Sequence, residues 1–206
     1  MSVETANAIA ACAEMLQRRA KDARPAIDMK WVAPPNYHVT LKFLGHTRDE
    51  AVGAVRDALE KACVGVEPFK LRAARLGAFA SLDKASVVWA GAESDALTAL
   101  AQKIDAAMAG LGYEREARPF HGHVTISRLR ESRSVRELVL PLAEQVFSES
   151  RIDGVTLFES VTKSVGPVYS ELHRIAFKRS ENAEKRQTGA LELDETDDGW
   201  PRGHSH

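Results

Sequence analysis

What the chain lacks narrows its chemistry first. Only two of its 206 residues are cysteines. Cys12 and Cys63 each sit in an alanine-rich helical stretch, which excludes a disulfide framework or a C-x-x-C pair and leaves two free buried thiols as the expectation. No apolar run approaches the roughly 20 residues of a membrane-crossing helix. The N-terminus has no basic segment leading into an apolar signal core, so the cytoplasm is the expected compartment and no membrane partner is expected. No G-x-x-x-x-G-K-(S/T) occurs, and Gly110-Leu111-Gly112 lacks the third glycine of a dinucleotide fingerprint. A serine elbow and a cysteine-nucleophile signature are missing too.

Strong charge is also absent, the formal net charge being −1. Residues 181–206 hold seven acids against three bases, so they contribute −4 and residues 1–180 are left at +3. A balance this weak excludes a protein that coats nucleic acid through many phosphates, but it suits one that holds a single phosphate or a strand end. With 44% hydrophobic and 28% charged residues the composition is that of a globular protein, either one large domain or two small lobes.

The periodicities give an α+β chain. Ile9, Cys12, Met15 and Leu16 mark a first helix with Ser2 as cap. Trp31-Val32 is a short extended piece between Pro25 and Pro34-Pro35. Thr47-Arg48-Asp49-Glu50 reads as a capping box for a helix burying Val52, Val55, Leu59 and Ala62. Strands are expected around Phe69–Ala73 and Ser86–Ala90, joined through a hairpin at residues 80–84. Leu97, Leu100, Ile104, Met108 and Leu111 mark a long helix. Two short pieces over 132–147 break at Pro141, and strands at Ile152–Val161 and Val168–Phe177 flank a Gly166-Pro167 turn. The segment from 180 to 206 is acidic, aperiodic and expected to be disordered.

One pattern occurs twice. Tyr37-His38-Val39-Thr40-Leu41-Lys42-Phe43-Leu44-Gly45 is echoed by Phe120-His121-Gly122-His123-Val124-Thr125-Ile126-Ser127-Arg128-Leu129, with His123 following His38 by 85 positions. In a strand residues i and i+2 share a face. His38 and Thr40 therefore share one face while Val39, Leu41 and Phe43 anchor the other, and His123 and Thr125 lie opposite Val124 and Ile126. Two imidazoles on one cleft can take and give a proton near neutral pH. Threonine hydroxyls beside them suit the non-bridging oxygens of a phosphoryl group. Attack of water on phosphorus with expulsion of an alkoxide needs these groups and no cofactor.

HVTLKFLG and PFHGHVTISRL resemble the paired signatures of the 2H phosphoesterase superfamily, in particular its RNA 2′,3′-cyclic phosphodiesterase branch, the LigT-like or 2′-5′ RNA ligase family. Trp31-Val32-x-Pro34-x-Asn36, Val88-Trp89-Ala90-Gly91, Arg118-Pro119-Phe120, Leu157-Phe158-Glu159-Ser160 and Pro167-Val168-Tyr169 extend the likeness over about residues 7–178. The resemblance implies a bilobal α+β fold over residues 1–179. It would have two pseudo-symmetric antiparallel-sheet lobes, outer helices and a central cleft with one His-x-Thr motif from each lobe. It further implies hydrolysis of an RNA 2′,3′-cyclic phosphate end, or of a small cyclic nucleotide, to a 2′-phosphomonoester. No metal or cofactor, a weak reverse 2′-5′ ligation and a monomeric enzyme complete the picture. By position His38 and His123 are the acid–base pair, with His123 as base and His38 as acid, and Thr40, Thr125 and Arg128 are the phosphate ligands. Strict alternation turns Arg128 away from His123, so its role needs a bulge; the alternative is an outer-surface salt bridge.

Departures and rivals remain. The family's opening strand of the type Arg-x-Phe-x-Ala-Ile is missing before the first helix, which leaves an exposed edge unless the start lies upstream. His121-Gly122 replaces the usual Arg-Pro, with His121 expected to be a solvated loop residue. A zinc hydrolase would have to gather His38, His121 and His123 without help from a carboxylate in either motif. The other rival is a non-catalytic RNA-end or nucleotide-binding module on the same fold.

Overall fold

The computed structural model describes residues 1–163 and 166–178. In chain order the elements are α1 (Val3–Asp22), β1 (Met29–Trp31), α2 (Asp49–Cys63), β2 (Phe69–Phe79), β3 (Ala85–Glu93), α3 (Asp95–Ala109), β4 (His123–Arg133), α4 (Arg136–Val139), β5 (Val146–Ile152), β6 (Gly154–Lys163) and β7 (Gly166–Ala176). Short 3-10 turns cover Pro34–Asn36 and Leu140–Leu142.

Helix α1 forms as its sequence dictates. Ser2 caps it by accepting the Thr5 N–H at 3.2 Å, and Ile9, Cys12, Leu16 and Ala20 make a buried stripe. That stripe packs on a five-stranded sheet of order β1-β4-β3-β2-β5, antiparallel throughout, together with Val88, Val124, Ile126 and the α4 residues Leu138 and Val139. A second core joins Val55, Leu59 and Cys63 of α2 to Leu100, Ile104 and Met108 of α3, closed by Val155 and Phe177 beside the two-stranded β6-β7 sheet. Each large aliphatic side chain so buried contributes about 1.5–3 kcal/mol. The α+β architecture with antiparallel sheets and outer helices is thus as expected, although the two sheets are unequal, five strands against two.

Several local expectations are corrected. Residues 38–45 form no regular strand: only Val39 pairs, through an isolated bridge to Val124. With no neighbour beyond that bridge nothing covers Phe43, which is 74% exposed rather than core. Thr47 does not cap α2, whose N-cap is Arg48; its hydroxyl instead accepts from Tyr113 at 3.2 Å. Strand β5 was not expected. Its inward face carries Ser148 and Ser150, whose hydroxyls bond Thr5 and Ser2 of α1, so buried polar groups break the apolar alternation that marks a strand. Gly166 and Pro167 open β7, paired with Lys163 and Thr162, instead of making the turn. The acidic segment from residue 180 lies outside the described residues.

Candidate active site

The two motifs meet at their central valines. Val39 and Val124 are antiparallel partners. In that register the flanking residues of one motif come abreast of the opposite members of the other, His38 of Thr125 and Thr40 of His123. Val124 is buried and Val39 half-buried, while His38 and Thr40 are exposed, so the four polar side chains lie on the open side. The first motif reaches this place because β1 and residues 38–40 run along the same edge of β4: Trp31 pairs with Ser127, the Val32 N–H donates to the Ile126 carbonyl at 2.9 Å, and Val39 follows at Val124.

Both rings are fixed in the same manner. The Nδ1 of His38 lies 2.7 Å from the Asn36 carbonyl oxygen and that of His123 lies 2.7 Å from the His121 carbonyl oxygen, each two residues back. A carbonyl only accepts, so each Nδ1 carries a proton and each Nε2 is left for chemistry. Gly122 makes the second arrangement possible, since a Cβ there would come within 2.3 Å of the Ala92 carbonyl oxygen. Burial holds the His123 pKa below the ordinary histidine value, and His121, Arg128 and His38 push it further down against the opposing hydrogen bond to the His121 carbonyl.

Arg128 reaches this face through a bulge. Opposite β4, Trp89 pairs with Thr125 and Val88 with Ser127, so Ile126 is an extra residue in β4. Ile126 and Ser127 are both buried, and the phase of the strand shifts by one. His123, Thr125 and Arg128 thereby align with Gly91, Trp89 and Val87 on a single face.

Sequence reasoning missed the walls. Phe79 lies edge-on to His123 at 4.9 Å between ring centroids, and Trp89 contacts Phe79 at 5.5 Å and His121 at 4.7 Å. The Trp89 ring lies across Gly77, where a Cβ would sit 2.2 Å from it. Tyr169 stands edge-on to His38 at 5.0 Å. His121 is exposed, as expected, yet packs on both aromatic walls rather than standing free in solvent. The period-two continuation of Phe69, Leu71 and Ala73 breaks at Arg75, a bulge residue with φ of 66°, so nothing in the pattern aimed Phe79 at the site.

Lys42 was missed as well. Its side chain is 5% exposed, and the ammonium donates to Asp105 at 2.8 Å and to the Glu114 carbonyl at 2.5 Å, with Glu116 at 3.4 Å. Burial opposes its charge, but the two carboxylates outweigh it and raise its pKa, while Lys42 in turn lowers that of Asp105. The zinc arrangement of His38, His121 and His123 does not assemble: among the described residues no three His, Cys, Asp or Glu side chains are placed to hold a metal ion.

This doubled histidine–threonine face belongs to a known class. The profile of the family described as LigT like Phosphoesterase matches residues 3–89 and 91–169, and the chain belongs to that family. Among its relatives, an Aquifex aeolicus protein named RNA 2′,3′-cyclic phosphodiesterase is 31% identical over 163 residues, covering 76% of this chain and 86% of the relative. One of the same name from Aeropyrum pernix is 28% identical over 158 residues, covering 74% and 89%. The apo crystal structure of E. coli LigT superposes with a TM-score of 0.66 at 24% identity, over 87% of this chain and 94% of that one, a likeness of fold.

Proposed function

We propose that this protein hydrolyses RNA or nucleotide 2′,3′-cyclic phosphates to 2′-phosphomonoesters by two-histidine acid–base catalysis, with a weak reverse 2′-5′ ligation. The observation that carries the reading is the Val39–Val124 bridge, because it sets two imidazoles with free Nε2 atoms among two threonines. The relatives named RNA 2′,3′-cyclic phosphodiesterase support the same substrate class.

In this mechanism His123, kept neutral by its depressed pKa, accepts a proton from water at Nε2 as the oxygen attacks phosphorus. The bond from phosphorus to O3′ breaks, and His38 gives its Nε2 proton to the leaving O3′. The product has a 2′-phosphate and a free 3′-hydroxyl. Thr40, Thr125 and Arg128 hold the non-bridging oxygens as negative charge builds on them. Both Nδ1 bonds survive the exchange, because Nδ1 keeps its proton whether the ring is neutral or charged. The free buried thiols of Cys12 and Cys63 suit a reducing compartment such as the cytoplasm. No helix among the described residues is long and apolar enough to cross a membrane.

The test is one incubation of an RNA ending in a 2′,3′-cyclic phosphate, in the presence of a strong chelator, followed by identification of the product. A 2′-phosphate is expected. A 3′-phosphate, or a trace rate that His38→Ala and His123→Ala leave unchanged, overturns the proposal in favour of a binding module.

A further inference from the structure

Just outside the histidine–threonine square two cations face each other with no counter-ion among the described residues. Lys30 of β1 is the direct cross-strand partner of Arg128 of β4. Residues directly opposite in an antiparallel pair share a face, and like charges so placed destabilise the sheet. Lys30 lies between buried Met29 and half-buried Trp31 and is itself exposed, on the side opposite the core. Arg128 is on the same side as His123 and Thr125 because of the Ile126 bulge, and it is near enough to His123 to depress its pKa. Lys30, Arg128, Val87 and Phe79 thus form one row across four strands of the sheet. Among the described residues neither Lys30 nor Arg128 makes an ion pair. The neighbouring carboxylate, Asp28, is engaged by Arg130 at 3.2 Å.

A like-charge pair that no described carboxylate compensates, held at the rim of the proposed phosphate site by a bulge that turns one of its members outward, is arranged for an anion. We infer that Lys30 binds the phosphate on the 5′ side of the reacting nucleoside, with Arg128 standing between it and the cyclic phosphate. The inference rests on the cyclic phosphodiesterase reading above. An RNA end always carries that 5′ phosphate, and an isolated nucleoside 2′,3′-cyclic phosphate does not. The subsite therefore makes the protein prefer a polynucleotide end over a cyclic mononucleotide.

The experiment compares adenosine 2′,3′-cyclic phosphate with and without a 5′-phosphate. For the intact protein kcat/KM should be about tenfold higher with the 5′-phosphate, as one charge-assisted contact can give. That advantage should shrink with added salt, collapse in Lys30→Ala and persist in Lys30→Arg. Indifference of the intact protein to the 5′-phosphate, or an advantage that survives in Lys30→Ala, overturns the inference. If neither mononucleotide turns over, the RNA incubation described above decides the function separately, and binding decides the subsite. Adenosine 2′,5′-bisphosphate should then bind more tightly than adenosine 2′-phosphate by calorimetry, and lose that margin in Lys30→Ala; equal affinities overturn it.

Discussion

The Lys42 ammonium lies 2.8 Å from the Asp105 carboxylate, and this contact ties the first histidine motif to helix α3. The motif has one bridge residue and no ladder, so the ion cluster takes over part of the support a strand would have provided. Asp105→Asn and Lys42→Met should let the His38 segment drift while leaving the rest of the fold intact. A misplacement of about 1 Å lowers rate by about 10²-fold. Steady-state kinetics should therefore show that loss mainly in kcat, with unchanged far-UV circular dichroism. Wild-type kinetics in both variants would dismiss the idea.

If the two rings exchange protons with the same phosphate, as proposed, they should fail as a unit. His38→Ala and His123→Ala should each reduce kcat on an RNA cyclic phosphate by about 10²–10⁴-fold. The double variant should be little slower than the worse single one. Multiplicative losses would show two independent contributions instead of one relay.

The depressed pKa of His123 fixes the sign of a pH effect. A base must be unprotonated to work, so kcat/KM should rise with pH through the pKa of His123 in the free enzyme, which lies below the usual value of about 6.5. Arg128 contributes to that depression. Arg128→Gln should therefore move the acidic limb of the profile to higher pH, besides lowering the rate. An acidic limb that stays in place would mean that another group sets it.

Gly77 and Trp89 are coupled sterically. A methyl at position 77 would approach the indole to 2.2 Å, so Gly77→Ala must push Trp89 off its seat against Phe79 and His121. The expected result is a shift in tryptophan emission together with a several-fold rise in KM, both absent from a control such as Gly53→Ala, where the space is open.

Much of this was legible in the chain. The stripes of α1 and α3 showed because their buried residues are apolar and evenly spaced, and the doubled His-x-Thr pattern marked the two segments that the Val39–Val124 bridge brings together. What stayed hidden depends on contacts between distant segments. β5 hid because Ser148 and Ser150 satisfy their buried hydroxyls on Thr5 and Ser2, far away in sequence. Lys42 looked like an ordinary exposed lysine until Asp105 and the Glu114 carbonyl closed around it. The strand expected at 38–45 had the right residues and lacked a neighbour to pair with, which no local propensity reports.

Ile126 deserves a last consequence, because the extra residue works as a spatial frameshift. Upstream of it odd-numbered positions of β4 look toward the site; downstream even-numbered ones do, so Arg128 and Arg130 stand where Leu129 would otherwise be. Deleting this single residue would only straighten the strand, because its downstream residues would keep their present partners and faces; a strand that kept Ile126 but flattened the bulge would instead turn both guanidinium groups toward the core and present Ser127 and Leu129 on the open side. Which side chains this face presents is thus set by a mismatch of one residue between β4 and its neighbour β3, and not by the local order of polar and apolar residues alone.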